Sequence, residues 1–174
     1  MRVSRLPVIT LLLAVAVACS DRTPTAVPVA PPAPEASLVG ELLAPTGLLT
    51  CSDLPYASST QTVGVLGGTI NAGPHTLVIP PGALTEPTTI TMTAPTGRGV
   101  NAVRFEPEGL RFVTPATLTM SYSNCNLLGK LLPNRIAYTD DNLKILYYLL
   151  SLDNLLSKRV TGKVNHFSDY VVAW

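Results

Sequence analysis

The sequence predicts an all-β protein, a single antiparallel β-sandwich preceded by a signal peptide and a Pro-rich disordered tether. Apolar and polar residues alternate in short segments from residue 60 onward, which is typical of strands with one buried face. Turn residues divide these segments, and the 174 residues include 16 prolines and 12 glycines. The 47% apolar and 13% charged residues supply enough side chains for a core and exclude a wholly disordered chain.

Residues 1–18 are typical of a secretory signal peptide. Arg2 and Arg5 precede an apolar run at residues 8–18 that ends in small residues. The run is shorter than the roughly 18 apolar residues that a membrane-spanning helix needs. Without these two arginines the formal net charge changes from +1 to −1, so the exported chain is close to neutral.

The residues around the predicted cleavage point resemble a bacterial lipobox. Ala16, Val17 and Ala18 precede Cys19, although Ala16 stands where that motif usually has leucine. The resemblance implies lipidation of Cys19 and anchoring to a membrane, and ordinary cleavage after Ala18 is the alternative. Ser20 follows the cysteine instead of the aspartate that retains such lipoproteins at the inner membrane. We therefore expect an outer-membrane or cell-surface location.

Residues 19–59 are predicted to be a tether, rich in proline and alanine. Its prolines alternate with small residues and cannot build a core, which is typical of an extended, polyproline-like segment. Between residues 20 and 50 they are Pro24, Pro28, Pro31, Pro32, Pro34 and Pro45.

Residues 60–174 are predicted to form the sandwich. The expected strands are residues 69–72, 75–79, 88–93, 101–106, 116–123, 135–139, 143–150, 158–167 and 168–174. Ile90 and Met92 share one face of their strand, as Leu118 and Met120 do of theirs.

The segment at residues 143–150 is apolar on both faces. This pattern predicts a central strand or one that lies against another surface. A helix at residues 143–156 is the competing prediction, but the neighbouring aromatic residues Tyr147 and Tyr148 favour a strand.

Two further cysteines, Cys51 and Cys125, are predicted to form a disulfide because the chain is expected to be exported. On the chain-entropy model, closing so long a loop contributes about 4 kcal/mol. Unpaired or intermolecular thiols are the alternative.

Several motifs, in the same order along the chain, resemble the ZU-five domain. They are residues 67–70 (GGTI), 75–84 (HTLVIPPGAL), 105–110 (FEPEGL), 115–118 (PATL) and 166–168 (HFS). This family is shared by zona-occludens proteins, netrin receptors and ankyrins, and it occurs in exported bacterial proteins. The resemblance covers about residues 62–174. It implies an antiparallel sandwich that serves as a structural or protein-interaction module.

The resemblance also implies one candidate reaction, at His166, Phe167 and Ser168. Some proteins with this tripeptide cut their own backbone before the serine. Ser168 would attack the Phe167 carbonyl while His166 assists proton transfer, and water would hydrolyse the resulting ester. The alternative is structural, with Phe167 as a core side chain.

Other candidate sites are weaker. Asp140, Asp141 and Asn142 offer oxygen ligands for Ca²⁺, but adjacent residues of this kind are more typical of a solvated turn. His75 and His166 lack the spacing of a metal motif, so no metal and no cofactor is expected. The lysines and arginines are scattered, which argues against nucleic-acid binding.

The predicted function is that of a non-enzymatic cell-envelope lipoprotein that presents a protein-interaction or structural module. Its expected partner is an envelope or extracellular protein. Self-processing at Ser168 is one alternative. A carbohydrate-binding module is another, with Tyr147, Tyr148, Tyr170 and Trp174 as contact residues, although aromatic residues are more often used in core and edge packing.

Overall fold

The computed structural model describes residues 47–130 and 133–174, and it confirms the predicted antiparallel β-sandwich. This part of the chain forms eleven strands. They are β1 (Ala57–Val63), β2 (Gly68–Ala72), β3 (His75–Ile79), β4 (Thr88–Ala94), β5 (Ala102–Glu106), β6 (Arg111–Ser121), β7 (Arg135–Thr139), β8 (Ile145–Tyr148), β9 (Ser151–Asn154), β10 (Arg159–His166) and β11 (Asp169–Ala173). The predicted signal peptide, the lipidation site Cys19 and residues 19–46 of the predicted tether lie outside the described residues.

The strands divide into two sheets. The six-stranded sheet has the order β1-β4-β5-β11-β7-β8, and the five-stranded sheet has the order β2-β3-β6-β10-β9. Neighbouring strands are antiparallel throughout. Consecutive strands β1 and β2 form one pair of open edges, whereas β8 and β9 form the other.

The main core lies between the sheets and is built by alternate side chains. Ile90 and Met92 of β4 face Leu118 and Met120 across the sandwich, and all four are fully buried. The period-two pattern therefore correctly identified the inward faces of β4 and β6. Phe167 and Tyr170 complete the core where the chain passes from β10 to β11.

A smaller apolar cluster covers part of the outer face of the six-stranded sheet. Leu48 lies over Ala137, Val171 and Ala173, and it pairs with Ala173 through an isolated backbone bridge. Leu49 is also fully buried, and its N–H donates to Val172 O at 3.2 Å. Leu48, Leu49 and Cys51, which belong to the predicted tether, therefore pack against the domain because their side chains have apolar surface to cover.

The predicted strand at residues 143–150 differs from the structure. Its residues form the short strand β8 at the edge of the six-stranded sheet, and the chain then crosses to form β9 at the edge of the five-stranded sheet. Ser151 directs the crossing: its hydroxyl accepts from Ile136 N–H at 3.0 Å and donates to Leu149 O at 3.0 Å. Of the two predicted placements, the central strand is wrong, because β8 is an edge strand from which Leu146 and Tyr147 project. Contact with another surface is found instead, since Ile145 and Tyr148 pack against the cluster around Leu48. The preference for a strand over a helix is confirmed.

The disulfide between Cys51 and Cys125 is confirmed. The two residues are 74 positions apart in sequence and also form an isolated antiparallel bridge. The bond joins the segment before β1 to the loop that follows β6.

The path of β10 and β11 defines two ends of the sandwich. β10 runs from Arg159 to His166, and β11 returns from Asp169 to Ala173. Consequently His166 and Asp169 lie at one end, whereas Arg159 and Ala173 lie at the other.

Candidate functional site

A cleft of about 930 Å³ opens on the outer face of the six-stranded sheet, at the end where β10 turns into β11. We call this end of the molecule the cleft end. The cleft is lined by one guanidinium, that of Arg104, and by carboxylates from β5, β11 and two turns. The acidic residues are Glu106, Glu108, Asp140, Asp141 and Asp169.

Arg104 is held in the cleft wall by two carboxylates. Its Nε lies 2.9 Å from Asp169 Oδ1 and its Nη2 lies 2.7 Å from Asp169 Oδ2, a two-pronged contact of the kind that arginine forms with carboxylates. Nη2 also donates to Asp141 Oδ1 at 3.1 Å. The hydrogen bond and charge of Asp169 raise the pKa of Arg104 above its usual range. The guanidinium is therefore already engaged by two carboxylates.

The remaining carboxylates give the cleft a negative character. Within the part of the chain that the structure describes, the only side-chain ion pairs are those of Arg104 with Asp141 and Asp169. Glu106 and Glu108 are exposed. Thr139 also lines the cleft, and its buried hydroxyl has no hydrogen-bond partner among the described residues. The arrangement suits a ligand that carries positive charge and hydrogen-bond donors.

The His-Phe-Ser sequence lies at the rim of this cleft. Phe167 is buried, stacked on Phe105 with ring centroids 4.6 Å apart and edge-on to Phe112 at 5.1 Å. Ser168 lines the cleft beside Asp169. Phe167 is thus a core side chain, as the structural alternative to self-cleavage expected.

The Phe167 backbone is fixed by hydrogen bonds on both sides. Its N–H donates to Leu110 O at 2.8 Å, and its carbonyl accepts from Gly109 N–H at 3.2 Å. His166 packs edge-on to Tyr138 at 5.4 Å, and its carbonyl accepts the Tyr170 hydroxyl at 2.5 Å. The carbonyl that Ser168 would attack therefore already has one donor.

The other candidate residues are not brought together. His75 lies at the opposite end of β6 from His166, since His75 Nδ1 accepts from Ser121 N–H whereas His166 pairs with Arg111. Asp140 Oδ1 accepts the N–H groups of Asn142 and Lys144, so it is used in closing the β7–β8 turn. Across residues 47–130 and 133–174, no group of His, Cys, Asp and Glu has a geometry suited to holding a metal ion.

The aromatic residues considered for carbohydrate binding do not form one platform. Tyr170 is fully buried, and Trp174 is partly buried beneath Lys130, whose Nζ lies 3.6 Å from the ring centroid. Tyr147 is exposed at the β8 edge and packs against Tyr138.

Sequence reasoning did not identify the cleft itself. The alternating pattern of β5 places Arg104 and Glu106 on one face, and this part of the cleft could have been predicted from the sequence. The contributions of Asp169 and Asp141 depend on strand order, because β11 lies between β5 and β7 in the sheet. The local sequence does not show which strands are adjacent in the sheet.

The Cys51–Cys125 disulfide indicates a non-reducing, exported environment. Over the described ranges 47–130 and 133–174, the structure has no helix that is long and apolar enough to cross a membrane. Comparison of the chain with protein-family models and with curated proteins finds no match.

Proposed function

We propose that this protein is a non-enzymatic binding module of the cell envelope, a lipoprotein that presents its cleft to a basic segment of another envelope protein. The observation that carries the proposal is the acidic cleft, with five carboxylates around one guanidinium that is already paired. Lysine and arginine side chains of a partner would be attracted by Glu106 and Glu108. The lipobox-like sequence at Cys19 and the Pro-rich segment support display from a membrane.

The cleft also has features of a site for an extended peptide. Leu146 of β8 lines one side and is half exposed, which offers apolar contact beside the charges. Thr139 in the cleft lining has a buried hydroxyl with no partner within residues 47–130 and 133–174, so it retains hydrogen-bonding capacity for a ligand. The resemblance to ZU-five domains, which mostly serve as interaction modules, also favours a binding function.

Site-specific photocrosslinking in intact cells tests this function. A photoreactive residue at Leu146, inside the cleft, is expected to give a covalent adduct with one envelope protein. The same probe at Val113, which is exposed outside the cleft, serves as the positional control. The adduct should disappear in the Glu106→Lys/Glu108→Lys variant and persist in Glu86→Lys, an exposed acid outside the cleft. An adduct that survives both charge changes would contradict the proposal.

Self-processing is the second candidate, and the hydrogen bond from Gly109 N–H to the Phe167 carbonyl favours it. In the reaction, Ser168 Oγ bonds to the carbonyl carbon of Phe167 and gives up its proton. The peptide bond between Phe167 and Ser168 then breaks, and the Ser168 nitrogen takes up that proton. Gly109 would stabilise the oxyanion formed in between. Water then cleaves the ester, leaving a carboxylate on Phe167 and a free amine on Ser168.

Intact mass under denaturing conditions tests this reaction directly. Cleavage would produce a separate fragment of residues 168–174, which includes strand β11, and Ser168→Ala would abolish it. An uncut wild-type chain with the same mass behaviour as Ser168→Ala eliminates self-processing.

A further inference from the structure

The end of the sandwich opposite the cleft carries basic and apolar residues together. We call it the basic end and define it by Lys130, Arg135, Lys158 and Arg159. The positions follow from the register: Arg135 pairs with Ala173 at the end of β11, and Arg159 starts β10 after the β9–β10 turn. Lys130 lies over Trp174, which follows β11.

Two carboxylates near this end do not cancel the basic charge. Asp153 is turned inward, where it accepts the Tyr122 hydroxyl at 2.5 Å and Asn134 N–H at 2.8 Å. Asp53 accepts Gly97 N–H at 3.1 Å. Both carboxylates keep their negative charge, but four cations against two carboxylates still leave the basic end with an excess of positive charge, whereas the carboxylates of the cleft collect at the other end of the molecule.

Leucines project into solvent beside these cations. Leu155 and Leu156 occupy the β9–β10 turn and are 66% and 99% exposed, and Leu128 in the loop after the disulfide is 85% exposed. Leu150 and Leu152 extend the apolar surface along the neighbouring open edge. Leucines exposed to this degree at a turn contribute little to the core, and they leave water only when a second surface covers them.

The segment that precedes the described domain joins it at the same end. Trp174 N–H donates to Gly47 O at 2.9 Å. Gly47 also lies against β8, because a Cβ placed on it would be 2.6 Å from Tyr148 Oη and 3.8 Å from Ile145 Cδ1. The residues ahead of Gly47 are therefore joined to the domain at its basic end and not at the cleft.

We propose that the basic end docks on an anionic lipid surface, with Leu155 and Leu156 inserted among the acyl chains. Apolar side chains then leave water while Lys158, Arg159, Lys130 and Arg135 remain at headgroup depth, where anionic lipid attracts them. The acidic cleft faces away from the membrane and stays open to its ligand. The orientation rests on the proposed membrane location of the chain, but lipid binding by these residues is measurable without the Cys19 anchor.

Vesicle sedimentation tests the binding on the chain from residue 19 carrying Cys19→Ser, which removes the lipid attachment. Binding is expected to vesicles of phosphatidylcholine with phosphatidylglycerol and to be much weaker with phosphatidylcholine alone. Leu155→Ser/Leu156→Ser should weaken it by about tenfold or more, because two apolar side chains no longer insert. Lys158→Gln/Arg159→Gln should weaken it by about fivefold per charge at low salt.

The matched control for the leucines is Leu66, which is 88% exposed in the β1–β2 turn at the cleft end. Leu66→Ser should leave vesicle binding unchanged. A tryptophan probe then reports depth: emission of Leu156→Trp should shift to the blue and be quenched by brominated acyl chains, whereas Leu66→Trp should not respond. Both probes are placed in a Trp174→Phe background, because Trp174 lies at the basic end and would itself respond to docking.

Three outcomes would overturn the proposal. They are equal binding to neutral and anionic vesicles, equal loss in the Leu66 and Leu155/Leu156 variants, and doubling of the molecular mass in solution that depends on Leu155 and Leu156 without vesicle binding. The last would assign the leucines to a second copy of the chain. None of these measurements involves the cleft, so their failure is distinct from failure of the crosslinking experiment.

Discussion

His75 is a buried histidine held neutral by its surroundings. It is 1% exposed at the start of β3, and its Nδ1 accepts Ser121 N–H at 3.2 Å. Burial, and then the positive charge of Arg159, lower the pKa of His75 to about 4. The neutral ring is part of the folded state, so protonation favours unfolding.

The stability of the domain should therefore decrease with acidification in a window set by His75. In the unfolded chain its pKa is about 6.5, so the unfolded state binds the additional proton and gains population as the pH falls from 6.5 towards 4. Between pH 7 and pH 4.5 the loss should be about 2 to 3 kcal/mol. Urea unfolding of wild type and His75→Asn at the two pH values measures it. Asparagine keeps an acceptor for Ser121 but does not titrate, and an equal loss in both proteins would contradict the assignment.

Residue roles at the His-Phe-Ser sequence show what the sequence could predict. The sequence shows the three residues in order, and it also allows the interpretation that Phe167 fills the core. The donor to its carbonyl, Gly109, belongs to the turn between β5 and β6 and comes into contact only through sheet packing. Chemistry that depends on such a contact has no local signal.

Among the turns, the one between β1 and β2 tolerates the least change. Gly67 has φ of +75°, and a Cβ there would lie 2.2 Å from Ile79 O and 2.7 Å from the Pro80 carbonyl carbon. Gly82 has the same φ of +75°, but a Cβ there meets nothing within 4 Å. A residue with a Cβ would therefore have the same unfavourable backbone conformation at both positions, but it would clash with neighbouring atoms only at Gly67.

Alanine at the two positions should separate these costs. Gly82→Ala should reduce the unfolding free energy by about 1 to 2 kcal/mol, the cost of a left-handed backbone for a residue with a Cβ. Gly67→Ala should lose roughly 1 to 3 kcal/mol more, because backbone atoms of β3 must move. Denaturant unfolding of both variants gives the difference, and equal losses would show that the β1–β2 turn can relax.

The positions and inward faces of the strands were predicted more successfully than the order of the strands in each sheet. Alternation correctly gave the inward faces of β4 and β6 because it depends only on the local pleat. It could not distinguish the centre of a sheet from its edge for residues 143–150, because an apolar segment has the same pattern in both positions. Strand order is set by contacts across the whole chain, so the two leucine-bearing edge strands, β8 and β9, were beyond local reasoning.

At the scale of the whole molecule, the disulfide is expected to provide a large share of stability. Cys51→Ala/Cys125→Ala should lower the unfolding free energy by about 4 kcal/mol, because the unfolded chain regains the freedom of a long loop. The midpoint of denaturant unfolding measures this change, and reduction of the wild-type protein should reproduce it. Cys19→Ala is the control and should leave the midpoint unaltered. An unchanged midpoint in the double variant would show that the bond adds little to the packing around it.

The two ends of the sandwich complement each other in charge. Carboxylates gather at the cleft, and lysine and arginine gather with the exposed leucines at the basic end. The formal net charge near zero therefore conceals an uneven distribution of charge over the described residues. Composition alone could not show this separation, because the charged residues of each end come from distant parts of the sequence.

The pairing of Gly47 and Leu48 with the last residues of the chain has a mechanical consequence. Tension applied ahead of Gly47 would open the bonds to Trp174 and Val172 one after another, as a zipper opens. The opening stops at Cys51, where the covalent link to Cys125 passes the load into the folded body. The protein would thus lengthen by roughly 15 Å and then hold. In its reduced form the same pull would continue into β1, so the bond acts as a stop against unravelling under force.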